Sequence, residues 1–398
     1  MRIVIAPDKF KGSLSAVEAA DAIARGALLA DPDAEIVLCP MADGGEGTVE
    51  AVATATGAEK RESVVSGPLP GQKVTARWGF LPGGVPAPID GPDDFGAMLD
   101  PGKATAVVEM AQASGLSLVP DRLRDPMLAS TVGAGQLIEA AIDAGCRQII
   151  VGIGGSATVD GGIGMAQALG YRFLDHDGNE LLPTGAALER IASIDTANRN
   201  PNLDEVSFLV ASDVDNPLVG KQGAAHVFGP QKGATSDQVE SLERGLSRLA
   251  EELDRTLHVD VVAMPGAGAA GGLGAGLVAF CGARITSGVR LLAELTGLSG
   301  KVQGADLVLT GEGSFDSQTS HGKTPAGVTE IARRHGVPAV VMAGRIQAEA
   351  ADSLGEGVAA YCISPGPMDL AEAMEKAGEL LTVGTKRLVR LLQLIQRS

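Results

Sequence analysis

Lysines, carboxylates and tight glycine turns gather in five short stretches of this 398-residue chain, each directly after an apolar, β-branched run. PDKFKGS carries Lys9 and Lys11, and ADGGEG carries Asp43, Gly44, Gly45 and Glu46. GIGGSATVDGG supplies Gly154, Gly155, Ser156 and Asp160, while SDVDNP supplies Asp213 and Asp215. GEGSFDSQTSHGKTP holds Glu312, Asp316, Lys323 and Thr324. Glycine turns can aim successive backbone N–H groups at an anion, and lysines neutralise phosphate oxygens. Carboxylates hold Mg2+ or accept a hydroxyl proton. Phosphoryl transfer asks a protein for these parts, because its catalysis is chiefly positioning and charge neutralisation.

Each residue also has a plainer use. Lys9 and Lys11 can be exposed loop charges, Asp43 a turn former ahead of Gly44, and Asp160 or Asp213 a helix cap. Glycines after strands often serve helix packing alone. The force of the reading lies in five such loops occurring together, and spacing does not rank the carboxylates as proton acceptors.

Familiar nucleotide motifs fit poorly. His321-Gly322-Lys323-Thr324 ends like a Walker A loop, but Ser317 stands where its first glycine is required. Gly266, Gly268 and Gly271 fit GxGxxG, yet no acidic residue follows at a second strand end, since Glu294 falls in a helical pattern. Asp213-Val214-Asp215 after FLVAS is similar to the nucleophile loop of haloacid-dehalogenase phosphatases, with Pro217 where Thr or Val is expected. A non-catalytic small-acid sensor is the second alternative. The five histidines show neither metal-ligand nor hydrolase spacing.

Positioning these loops requires strands that end at one edge. Apolar runs at 3–6, 36–39, 107–110, 148–152, 208–211, 307–310, 339–342 and 359–363 alternate with helical patterns, the rhythm of an α/β fold with a largely parallel sheet. Ser15 and Glu18 form a capping box for a helix reaching about Ala30, and a helix from Thr48 stops at Gly57. Between 62 and 105 proline and glycine punctuate short strands, with Trp78 and PGGVPAP marking irregular connections and a domain boundary. RFLDHDGNEL reads as a hairpin turning at Asp177-Gly178.

The length favours two domains. A net charge of −17 provides no basic face for nucleic acid. Cys39, Cys146, Cys281 and Cys362 are widely spaced and read as buried thiols of a reducing compartment. The apolar stretch before Pro7 is too short for a secretory signal, and the uncharged 261–283 segment is too rich in glycine for a membrane span. A soluble, cytoplasmic protein is expected.

IAPDKFKGSLSA, PMADGGEGT, GIGGSATVDGGIGMAQALG, SDVDNPL, GAGAAGGLGAGL and TGEGSFDSQTSHGKTP together resemble bacterial glycerate kinases of the glycerate 2-kinase type. The resemblance spans almost the whole chain and implies ATP-dependent phosphorylation of D-glycerate at the 2-hydroxyl by a monomer or homodimer. It also implies a discontinuous Rossmann-like or flavodoxin-like domain, 1–62 with 286–398, an inserted α/β domain, 63–285, and an active site in the cleft between them. On that basis Lys9, Lys11 and Lys323 are expected to contact anions, and 154–156 to cradle phosphate. Asp43, Glu46, Asp213, Glu312 and Asp316 are expected to serve metal or acceptor hydroxyl, with Mg2+ on Asp213 and Glu312. Gly44, Gly45, Asp160 and Thr324 complete the expected binding set.

Overall fold

The computed structural model describes residues 1–85, 99–316 and 324–396. Strands in chain order are β1 (Arg2–Ile5), β2 (Glu35–Leu38), β3 (Glu59–Ser66), β4 (Lys73–Leu81), β5 (Thr105–Glu109), β6 (Gln148–Gly152), β7 (Arg172–Leu174), β8 (Ser193–Asp195), β9 (Ser207–Ala211), β10 (Arg284–Thr286), β11 (Leu307–Phe315), β12 (Ala339–Ile346) and β13 (Val358–Cys362). One sheet, β13-β12-β11-β1-β2, is wholly parallel and joins the two ends of the chain. A second, β10-β9-β6-β5-β4-β3, is parallel from β5 to β10 and antiparallel at β3 and β4, and β7 and β8 form a small third sheet. The fold is α/β, as expected.

Alternation along the central strands explains why the sheets stay together. Successive side chains of a strand point to opposite faces. Ile149 and Val151 of β6 therefore enter a core confined to the second sheet and its helices. Ile150 enters a different core, shared with Val107 and Leu209 but also with Val4, Val49, Leu291 and Val308 around the first sheet. The far face of the first sheet, through Ile3, Ile5, Leu307 and Leu309, is covered by helix α1 (Ala16–Ala30) and the helix Ala377–Gln396. Helix α1 begins where expected, with Ser15 Oγ accepting the Glu18 N–H and Glu18 accepting the Ser15 N–H. Helix α2 (Thr48–Thr56) ends at left-handed Gly57.

Several local expectations are corrected. Strands β11 and β12 run on past Thr310 and Met342, with Glu312 paired to Ala343 and Ser314 to Arg345. Main-chain pairing continues after the apolar run has ended, and a hydropathy pattern does not register it. Trp78 lies buried in β4 rather than in an irregular connection, edge-on to Phe80 and donating through Nε1 to Ser63 Oγ. The charge-rich partner strand β3 conceals this antiparallel pair from an apolarity scan. PGGVPAP lies partly outside the described residues. The expected hairpin does form, with Leu174 bridged antiparallel to Glu180 and the Asp175 N–H donating to Asn179 O around left-handed Gly178, while β7 also pairs with β8. Cys39, Cys146 and Cys281 are buried, but Cys362 is exposed on the edge strand β13.

Candidate active site

The loop after β1 anchors the rim. Asp8 N–H donates to Gly311 O at 2.8 Å, which holds this loop against β11. The Asp8 carboxylate accepts the Thr324 hydroxyl at 2.6 Å and the Lys9 N–H at 2.6 Å. Burial, then the neighbouring charge of Asp43, raises the Asp8 carboxyl above its ordinary range. Lys9 Nζ donates to Asp43 Oδ1 at 3.1 Å and to Glu46 O at 3.5 Å. Burial works against the Lys9 charge, but Asp43 and Asp8 outweigh it and hold the ammonium above its usual pKa. Burial likewise pushes Asp43 upward, and the Lys9 charge and the Gly45 N–H overcome it, so that Asp43 stays ionised.

The loop after β2 is where the other strand ends meet. Gly44 has φ of 85°, and a Cβ there would lie 2.6 Å from Ala211 O at the end of β9. A Cβ on Gly152, the last residue of β6, would lie 2.4 Å from Gly44 O. These glycines are required for backbone contact rather than for flexibility. Gly154 N–H donates to Gly44 O at 3.3 Å, which ties the 154–156 turn to the same loop.

Asp213, after β9, completes the group. Its Oδ1 accepts the Ser287 hydroxyl at 3.0 Å and the Gly288 N–H at 3.0 Å. The side chain is open to solvent on one side. Surrounding protein desolvates it nonetheless, and with Asp43 and Asp8 nearby its pKa is pushed up to about 6. That value suits a group that must accept a proton near neutrality.

The expected set thus divides. Lys9, Asp43, Gly44, Gly45, Gly154 and the Glu46 carbonyl are joined by direct contacts, Thr324 joins them through Asp8, and Asp213 through Gly288, which lies against Asp43 O. Glu312 follows Gly311, the residue that binds Asp8, and Lys11 N lies 3.6 Å from a Cβ built on Gly313. Asp316 follows the last residue of β11. Gly155 O is occupied by the Leu116 N–H, and Ser156 is buried. Asp160 leaves the binding set: it is fully buried and accepts from Thr131 N–H and Oγ1, Gly162 N–H and Gly164 N–H. It fastens the loop after β6 to the helix Val132–Asp143. Lys323 lies outside the described residues.

Three residues escaped the sequence reading. Asp8 sits inside the first loop, where the neighbouring lysines carry the stronger signal. Glu109 ends β5 and accepts the N–H groups of Gly47 at 3.2 Å and Val49 at 2.5 Å, capping α2 from the other sheet. A lone carboxylate closing the apolar strand TAVVE was the signal for it. Ser287, which donates to Asp213, follows β10 by one residue and carries no such signal. A cavity of about 340 Å³ beside Glu109 is lined by Glu46, Glu50, Glu62, Arg77 and Gln112. Its acidic wall disfavours an anion, which leaves that role to the Lys9 side of the rim.

Parallel strands whose carboxyl ends gather a lysine, carboxylates and glycine turns define an α/β enzyme that handles small charged substrates. The chain belongs to the glycerate kinase family, which residues 3–393 match. It is 46% identical over 382 residues to the glycerate kinase of Bacillus subtilis (strain 168), covering 96% of this chain and 95% of that protein. The glycerate 2-kinase of Escherichia coli (strain K12) is 46% identical over 346 residues, covering 87% of this chain and 86% of that one. A crystal structure from Salmonella typhimurium LT2, assigned as glycerate kinase 2, superposes with a TM-score of 0.83 at 43% identity over 100% of both chains. No helix among the described residues is long and apolar enough to cross a membrane.

Proposed function

We propose that the chain transfers the terminal phosphoryl group of ATP to the 2-hydroxyl of D-glycerate, and that it does so in the cytoplasm. The observation that carries this reading is the convergence of strand-end loops on Asp43-Gly44-Gly45, with Lys9 beside Asp8 and Asp43, and Asp213 near enough to those two carboxylates to feel their charge. Family membership and the name of the Escherichia coli relative supply the substrate and the position of transfer. Neither gives support to the phosphatase or sensor alternatives.

In this mechanism Lys9 and Lys11 neutralise phosphate or carboxylate oxygens, and Asp213 takes the hydroxyl proton as the new bond forms. Ser287 and Gly288 fix the Asp213 carboxylate through Oδ1, which leaves Oδ2 for that proton. Mg2+ supplies charge neutralisation between phosphate oxygens when bound. Among the described residues no cluster of three ligands forms a ready-made metal cage. The hard oxygens at this rim nevertheless suit Mg2+, which commonly takes one or two carboxylates plus phosphate oxygens. Of the two expected ligands, Glu312 from β11 would hold it, and Asp213 is kept for the proton.

The two sheets are best read as two domains flanking the rim. The start of β3 at Glu59 and the end of β10 at Thr286 support a division close to the boundaries expected at 62 and 286. Incubation with Mg-ATP and D-glycerate, followed by phosphorus NMR, tests the reading. A 2-phosphoglycerate resonance is expected. A 3-phosphoglycerate product would overturn the regiochemistry, and phosphate release from a phosphoester without ATP would favour the phosphatase.

A further inference from the structure

Among the described residues Lys232 is the one buried lysine or arginine, at 2% exposure. It ends the short turn Pro230–Lys232 and is followed by Gly233, whose φ of 95° sends the chain into the helix Ser236–Leu257. Its Nζ donates to Ser156 Oγ at 2.6 Å and to Thr158 O at 2.7 Å. Both acceptors lie in the loop after β6, whose Gly154 is bonded to Gly44. Burying an ammonium opposes folding, and an apolar side chain of similar volume would fill this space without that penalty. What the lysine adds is the hydrogen bonds.

The bond to Ser156 has a directional consequence. A serine hydroxyl has one hydrogen, and an Oγ that accepts from an ammonium must send that hydrogen elsewhere. Among the described residues, the bond accepted from Lys232 is the one hydrogen bond that Ser156 Oγ makes. Ser156 is buried, and it lies two residues from Gly154, whose amide is bonded to Gly44 at the rim. Asp160 makes no hydrogen bond to Lys232, its oxygens being bonded to Thr131, Gly162 and Gly164, but its charge favours the ammonium against the burial that pulls the Lys232 pKa down to about 7.

We propose that Lys232 is a positioning residue of the kinase reaction, fixing the Ser156 hydroxyl so that its hydrogen is donated to an anionic oxygen of a substrate. The oxygen belongs to a carboxylate or to a phosphate. The claim rests on the functional reading above, which places a small acid and ATP at this rim, and it adds a residue outside the rim that acts through Ser156.

Ser156→Ala, Lys232→Met and the double variant test it. KM is measured for D-glycerate at saturating ATP and for ATP at saturating D-glycerate, with equilibrium binding of each substrate alongside. Each single variant should raise one substrate's KM by the same factor, on the order of 10-fold or more. The double variant should be no worse than either single one, and the other KM should not move. A shifted glycerate KM identifies the carboxylate, and a shifted ATP KM identifies the phosphate. Multiplying effects, or unchanged affinity for both substrates in Ser156→Ala, would overturn the proposal. Ser156→Ala decides alone if Lys232→Met does not fold. A parent protein that makes no phosphoglycerate would refute the functional reading, while the binding data would still judge Lys232.

Discussion

Asp213 is the residue on which the chemistry turns, because its environment makes ionisation costly while leaving one oxygen for a proton. Asp213→Asn keeps the shape and an acceptor for Ser287 and Gly288 but removes the base. Turnover measured at saturating substrates should fall about 100- to 10,000-fold. In the parent, kcat/KM should decline on the acid side with an apparent pKa of about 6. The same shift has an opposite signature in stability. A carboxyl whose folded pKa of about 6 exceeds its ordinary 3.8 favours the folded state most when protonated. That contribution is complete below pH 3.8 and is lost as the pH rises to about 6. Asp213→Asn should therefore melt above the parent at pH 8, and the gap should close towards pH 4; an equal gap at both values would show that the carboxyl is not strained.

Elements set the rim by where they start, stop and touch. The Ser15–Glu18 box starts α1 two residues after the loop that carries Lys9 and Lys11. Ser15→Ala should cost about 1 kcal/mol in urea unfolding. Gly44 acts through close backbone contact instead. Gly44→Ala puts a Cβ against Ala211 O in a left-handed conformation, so the loop carrying Asp43 must move from the end of β9. A displacement near 1 Å of groups aligned for transfer costs on the order of 100-fold in rate, and kcat/KM should drop at least that much. Circular dichroism should remain that of the parent.

At the scale of the molecule, the two sheets are joined by a shared apolar core and by a polar contact across it. Glu109, from the second sheet's β5, is the cap that the N-terminus of α2 lacks in its own sequence, since the residue before that helix is Gly47. Burial pushes the Glu109 carboxyl upward, and the amides of Val49 and Gly47 partly offset that. Glu109→Ala removes the acceptor of two amides at a buried position, and should lower unfolding free energy by about 1–3 kcal/mol in urea titration. It should also reduce turnover, because α2 follows directly from the loop that bears Asp43 and Glu46. Unchanged stability would show that the sheets do not depend on this cap.

Much of this was legible from local signals. The strand runs, the capping box, the helix stop at Gly57 and the five loops with Lys9, Asp43 and Asp213 follow from hydropathy period, capping chemistry and glycine placement. Each of these acts over a few residues, so the sequence carries it in the open. Other features needed the folded chain. The extension of β11 to Phe315 depends on pairing with β12, and the cap on α2 comes from a glutamate about 60 residues away. Lys232 meets Ser156 across 76 residues, and only the fold turns the Asp160 oxygens onto Thr131. A side chain's charge is written in the sequence, but its role depends on what lies opposite, and distant segments are brought opposite one another only when the core between the sheets closes.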